Sequence, residues 1–145
     1  MNAIKALAIW VCMLISLPID AQQKYPPLTP PSPSSPQIVA FMAWHQSLLK
    51  DDFVAYKNVS FWLPEMKEDM KRQIFDRLRS TTPAIVKITE QKANPNGSVG
   101  FYAVGCKDDV RLFNVITVGI SDGVWRVAAS GWGPPWNETA KLCPV

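Results

Sequence analysis

His45 is the one histidine in the chain, and its side chain is the natural candidate to move protons near neutral pH. It lies on the apolar side of a helical pattern, which leaves two readings open. It is either a base facing a pocket or a core histidine tied off by a single hydrogen bond. A metal site would require more: a second histidine, or a pair of cysteines at ligand spacing. Neither is present, so no metal or other cofactor is expected. Ser47, Ser60 and Ser130 sit in no nucleophile turn, and nothing aligns a serine with His45 and a carboxylate. Asn114 is the other polar anomaly, an amide in a strand that otherwise reads as apolar. A buried amide needs partners, which are either a ligand or a neighbouring backbone group. Tyr102 and Trp125 are further candidates to line a cavity. Gly131-Trp132-Gly133-Pro134-Pro135-Trp136 holds two indoles in a Gly/Pro frame. Exposed, Trp132 and Trp136 would make a partner-binding patch, since tryptophan is enriched where interfaces concentrate their energy. Folded back, they would close over the core.

The elements that position these groups follow from periodicity. Ile38, Phe41, Met42, His45, Leu48 and Leu49 recur at i, i+3, i+4 and i+7, which predicts a first helix from Gln37 with these residues buried. Asp51 or Asp52 suits the N-cap of a second, predicted from Phe53 to Trp62 with Phe53, Tyr56, Phe61 and Trp62 as its apolar surface. Pro64 should end it and start a third, in which Met66, Met70, Ile74, Phe75 and Leu78 continue the buried stripe to about Arg79. The period then changes to two. Ala84–Gln91, Ser98–Cys106, Val110–Ile120 and Gly123–Gly131 read as strands. Asn94-Pro95-Asn96-Gly97, Lys107-Asp108-Asp109 and Ser121-Asp122-Gly123 supply the turns between them. Connections this short force antiparallel hairpins, so the sheet should be a meander. In the third strand Val110, Leu112, Asn114, Ile116, Val118 and Ile120 share one face, the more apolar one, and are expected inside. Asp108, Asp109 and Asp122 all fall in turns.

The N-terminus reads as an export signal. Lys5 gives a positive start, Ala6–Ile19 an apolar run of about 14 residues, and Ile19-Asp20-Ala21 a cleavage site. That run is shorter than the roughly 20 residues a membrane span needs. Cleavage after Ala21 would leave Gln22 at the start; the alternative is an uncut signal anchor. Residues 22–36, dominated by proline, should be extended spacer, and residues 37–145 a single domain of about 110 residues. The net charge of +3 is small and scattered, without the footprint of a nucleic-acid binder. Cys12 leaves with the signal. Cys106 and Cys143 then form an even pair in an oxidising compartment, with Cys106 and the C-terminal tail expected at one edge of the meander. Their bridge would close a loop of about 38 residues, worth roughly 3–4 kcal/mol. The sequons at Asn58, Asn96 and Asn137 are read as chance, because the short signal looks bacterial and the protein is expected in the periplasm or secreted.

Three helices followed by a four-stranded antiparallel meander resemble the nuclear-transport-factor-2-like superfamily, whose α+β fold is cone-like. Two segments carry the resemblance beyond the order of elements. The run from Phe41 to Asp52, ending in Lys50-Asp51-Asp52, is similar to that family's first helix and the turn after it. Gly123-Val124-Trp125-Arg126-Val127 is similar to its closing strand. The likeness spans about Gln37 to Trp132 and is greatest to exported bacterial members. It implies a curved sheet wrapped on a helix with a pocket between them. It licenses no activity by itself, because members include isomerases, dehydratases, immunity proteins and plain binding modules. Enzymes of this kind place an acid or base on the concave sheet face or the first helix. The last three strands carry no interior Asp or Glu, which leaves His45 and argues against catalysis. The expected function is therefore noncatalytic binding of a protein partner or a small apolar ligand. The alternatives are a small-molecule isomerase or dehydratase using His45, or a periplasmic immunity-type inhibitor. Homodimerisation through the sheet is frequent in this fold.

Overall fold

The first helix opens on a cap. Ser35 accepts a hydrogen bond from the Ile38 N–H at 3.3 Å and Pro36 occupies the first helical turn, an N-terminus that sterics and capping both favour. The computed structural model describes residues 32–134. The expected signal at 1–21, most of the expected spacer at 22–36, and the segment 135–145 with Trp136 and Cys143 lie outside the described residues. Helix α1 (Pro36–Leu49) is followed by α2 (Phe53–Val59) and α3 (Glu68–Thr81). Strands β1 (Ile85–Ala93), β2 (Val99–Lys107), β3 (Val110–Ser121), β4 (Val124–Ala129) and the two-residue β5 (Trp132–Gly133) complete the chain. The domain is α+β, with these three helices and an antiparallel sheet.

The sheet runs β1-β2-β3-β4 in sequence order, as a meander, and β5 adds to the β3 edge beyond the end of β4. The expectation of four strands is thus one short. The last predicted strand, Gly123–Gly131, stops at Ala129, and the chain re-enters the ladder at Trp132, opposite Asn114. Two-residue turns set the tight hairpins. Asp108 and Asp109 both have positive φ, as do Asp122 and Gly123, which matches the twist of the flanking strands.

Register assigns the faces. Phe101 pairs with Ile116, Ala103 with Asn114 and Val118 with Val127, and all six are buried. All but Asn114 join Phe41, Trp44, Leu48, Tyr56 and Phe75 in one hydrophobic core. The opposite face exposes Tyr102, Phe113 and Val115. The face expected inside for β3 is therefore inside at Asn114, Ile116 and Val118, while Val110 and Ile120 are exposed at its ends.

The helices depart from expectation in detail. In α1, Met42 and Leu49 are exposed, whereas Trp44, Ala40 and Ser47 are buried with Ile38, Phe41, His45 and Leu48. The helix touches α2 and α3 as well as β3 and β4, which turns its buried arc away from Met42. In α3, Met70 is exposed and only Phe75 and Leu78 are buried. This helix begins at Glu68, not Pro64, because Leu63–Met66 forms a turn and Lys67 takes the N-cap position.

Candidate functional site

Asp52 starts α2 by accepting a hydrogen bond from the Ala55 N–H at 2.9 Å. Seven residues later the helix ends, three before the expected Trp62. The Ser60 hydroxyl donates to the Tyr56 carbonyl at 2.7 Å, and the backbone then turns extended to bridge Val127 of β4. The Phe61 N–H donates to the Val127 carbonyl at 2.8 Å. The Trp62 indole folds back and donates from Nε1 to the Lys57 carbonyl at 3.1 Å. On its sheet side this strap meets a bulge. Thr117 pairs with Ala129 and Val118 with Val127, leaving Ala128 between them without a partner in the ladder.

A cavity of about 180 Å³ lies between the strap, α1, α3 and the bulge. Trp44, Tyr56, Phe61 and Trp62 supply its aromatic wall, and Met66, Ile74, Leu78, Val127 and Ala128 its aliphatic one. Tyr56 anchors the wall, with ring centroids 6.0 Å from Trp44, 5.6 Å from Trp62 and 5.0 Å from Phe75. The polar side-chain groups among the described lining residues are the hydroxyls of Tyr56, Ser60 and Ser130 and the indole N–H groups of Trp44 and Trp62, the latter committed to the Lys57 carbonyl. Burial pushes the Tyr56 pKa up, against smaller opposing effects of hydrogen bonding with Ser60 and Trp44 and the charge of Arg77. It therefore stays a neutral phenol. Ser60 has committed its proton to a carbonyl, and Ser130 accepts from Asn114 Nδ2 at 2.7 Å, so Ser130 keeps its own proton for another acceptor. Among the described residues no carboxylate, imidazole, amine or thiol lines the cavity. The lining can hold an apolar body and make a few neutral hydrogen bonds; it has no group poised to shuttle a proton at neutral pH.

His45 does not line this cavity. It is 1 % exposed, with its ring centroid 5.9 Å from that of Phe41 and 6.5 Å from that of Trp132. Burial lowers its pKa, the Ala84 backbone opposes this weakly, and neither ring nitrogen completes a hydrogen bond of normal geometry. Asn114 is buried and fully engaged. Its Oδ1 accepts from the Gly131 N–H at 2.9 Å while Nδ2 donates to Ser130, so it pins the break between β4 and β5. Of the two roles weighed for this amide, the contacts are those of the structural one.

Tyr102 lies on the far face of the sheet, 43 % exposed, in a depression of about 230 Å³ shared with Thr89, Phe113 and Val115. Trp125 packs against the core from β4, opposite Ile120. His45 and Asn114 thus share Trp132 as a neighbour, Tyr102 meets Asn114 only as part of the lining of that far-face depression, and Trp125 joins neither. Trp132 is partly buried and turned inward: a Cβ added to Gly105 would meet its ring at 3.1 Å. It closes over the core. Cys106 lies near the end of β2, opposite Arg111, while Cys143 and Trp136 lie outside the described residues.

The residues missed as site candidates are Trp44, Tyr56, Ser60, Trp62 and Ser130. The aromatic density from Phe53 to Trp62 was a signal, but its meaning depends on α2 stopping at Val59. Among the described residues no cluster of three or more His, Cys, Asp or Glu could hold a metal ion, and no helix is long and apolar enough to cross a membrane. The chain matches no protein-family profile, and no curated protein is significantly similar to it.

Proposed function

We propose that this is an exported, noncatalytic binding module of cone-like α+β fold, related to the nuclear-transport-factor-2-like superfamily, which holds a small apolar ligand behind α2. One observation carries the reading: a cavity of about 180 Å³ with an aromatic wall and no charged side chain among its described lining residues. An apolar cavity of about 150 Å³ is enough for benzene, whereas drug-sized ligands occupy roughly 300 Å³ or more. The proposed ligand is accordingly one ring, or an aliphatic chain of similar bulk, with at most one or two acceptors for Ser130 and Tyr56. In this reading Cys106 pairs with Cys143 and ties the tail to the sheet after export.

The isomerase or dehydratase alternative would require His45 to reach a substrate, and its burial between Phe41 and Trp132 works against that. Binding of a protein partner, including a toxin in the immunity-type reading, would depend on Trp136, because Trp132 is turned inward. The test is native mass spectrometry of the protein from its exported fraction, followed by titration with phenol and toluene. Wild type is expected to bind one equivalent, and Ile74→Phe, which fills the cavity from α3, is expected to lose it. If Ile74→Phe raises the melting temperature while wild type binds neither probe, the cavity is a packing gap and the proposal fails.

A further inference from the structure

A second cavity, of about 330 Å³, opens where the turn before β2 meets the paired ends of β3 and β4. Asn96, Ser98, Thr117 and Arg126 line it together with Phe61 and Ile120, both of which are exposed. Among the described residues Arg126 is the one charged residue on the lining. Its side chain is only 27 % exposed, and its nearest carboxylate, Asp122, stands at 4.0 Å and is 85 % exposed. Its buried Nε has no hydrogen-bond partner. A guanidinium held this way offers a planar, two-pronged donor without a matching acceptor.

The neighbouring polar groups are donors of the same kind. Asn96 uses its carbonyl oxygen on the Ser98 N–H and hydroxyl, at 3.1 and 2.8 Å, which leaves its NH₂ group to donate. Thr117 adds a hydroxyl from β3. Ser98 is occupied, donating to Asn96 and accepting from Asn94 Nδ2 at 2.9 Å. Phe61, exposed on the strap beside β4, presents apolar surface to the lining, while Ile120 pairs with Trp125 and belongs to the other face of the sheet. A single cation rimmed by neutral donors suits one carboxylate better than a phosphate, which carries more charge. The apolar wall suits the rest of such a molecule.

We infer that this cavity binds a small organic carboxylate with an apolar body, its carboxylate on Arg126 and its body across Phe61. The site is distinct from the cavity behind α2, with which it shares Phe61 and Ala128 as a wall. It does not depend on that cavity being occupied.

The experiment is an NMR titration of the whole protein with phenylacetate and with phenylacetamide, its neutral isostere. Phenylacetate is expected to bind at least tenfold more tightly than the amide and to shift the amides of Thr117, Gly119 and Arg126. Arg126→Gln should weaken phenylacetate at least tenfold, while Asp122→Asn, which removes the competing carboxylate, should tighten it several-fold. Asparagine tolerates the positive φ of 52° at position 122, so this second variant keeps the test decisive if Arg126→Gln misfolds. Ile74→Phe should leave phenylacetate binding unchanged. Equal affinity for acid and amide, no response to Arg126→Gln or Asp122→Asn, or no binding at millimolar phenylacetate would each overturn the inference. Loss of phenylacetate binding in Ile74→Phe alone would also overturn it, by assigning that ligand to the cavity behind α2.

Discussion

Replacing Gly105 with alanine tests whether β5 and the loop before β1 close over the sheet. A Cβ at this position would stand 2.2 Å from Cγ and 2.8 Å from Cβ of Pro83, and 3.1 Å from the Trp132 ring. The first two contacts are far inside van der Waals distance, and a proline ring cannot rotate aside as a flexible side chain would. Overpacking a core costs about 1–3 kcal/mol, and a rigid obstacle puts this case near 3 kcal/mol on that scale. For a domain of about 100 residues, each kcal/mol shifts the melting temperature by roughly 4–8 °C, so Gly105→Ala should melt about 12–24 °C below wild type. Gly119→Ala is the control. Its added Cβ would meet Ser98 Cβ at 3.8 Å, an ordinary contact, and its effect should stay within about 1 kcal/mol. Thermal and urea unfolding followed by circular dichroism would measure both. If the two variants melt together, Pro83 and Trp132 do not pack on Gly105, and the closure of the core at this edge is wrong.

Asn114→Ala should cost about 1–3 kcal/mol, because it removes two side-chain hydrogen bonds, to Gly131 and Ser130, each worth about 0.5–1.5 kcal/mol. Amide hydrogen exchange at Gly131 should quicken, and unchanged exchange there would contradict the pinning role. For His45, burial lowers the folded-state pKa below 6.5, so the unfolded chain takes up the proton first as pH falls. Stability should be complete above about pH 6.5 and fall below it by at most about 1.4 kcal/mol per pH unit, ceasing to fall beneath the folded pKa. Urea titrations between pH 7.5 and 5 should show this slope in wild type and a shallower one in His45→Leu; identical slopes would contradict the burial account.

The strands were the legible part of this chain, for a physical reason. A period of two is fixed by the pleat, so the alternation in β3 assigns Asn114, Ile116 and Val118 to one face without any knowledge of neighbours. Helices are less determined. Ile38, Phe41, His45 and Leu48 mark a stripe, but whether its flank is Trp44 or Met42 depends on where α2 and α3 sit. Proline at 64 suggested a helix start, yet backbone bonding around Leu63–Met66 favours a turn, and α3 begins later. The second half of the last predicted strand was illegible, because a two-residue strand has no period. It exists because Asn114 binds Ser130 and Gly131 across a break, a contact 16 and 17 residues away in sequence. The cavity behind α2 was hidden for a related reason. Its wall forms only because Ser60 and Phe61 leave the helix to bond β4, a choice made by tertiary pairing over local propensity. Exposed Tyr102 shows the limit from the other side, since an aromatic in a strand carries no mark of which face another element will cover.

The claim at the centre of this account is that the space between Trp44, Tyr56 and Trp62 is an apolar binding cavity. Diffraction from crystals pressurised with xenon would test it directly, because dry apolar cavities take up xenon and polar ones hold ordered water. The account predicts a xenon atom in that cavity in wild type and none in Ile74→Phe. Ordered water bridging the hydroxyls of Tyr56, Ser60 and Ser130, undisplaced by xenon, would contradict it.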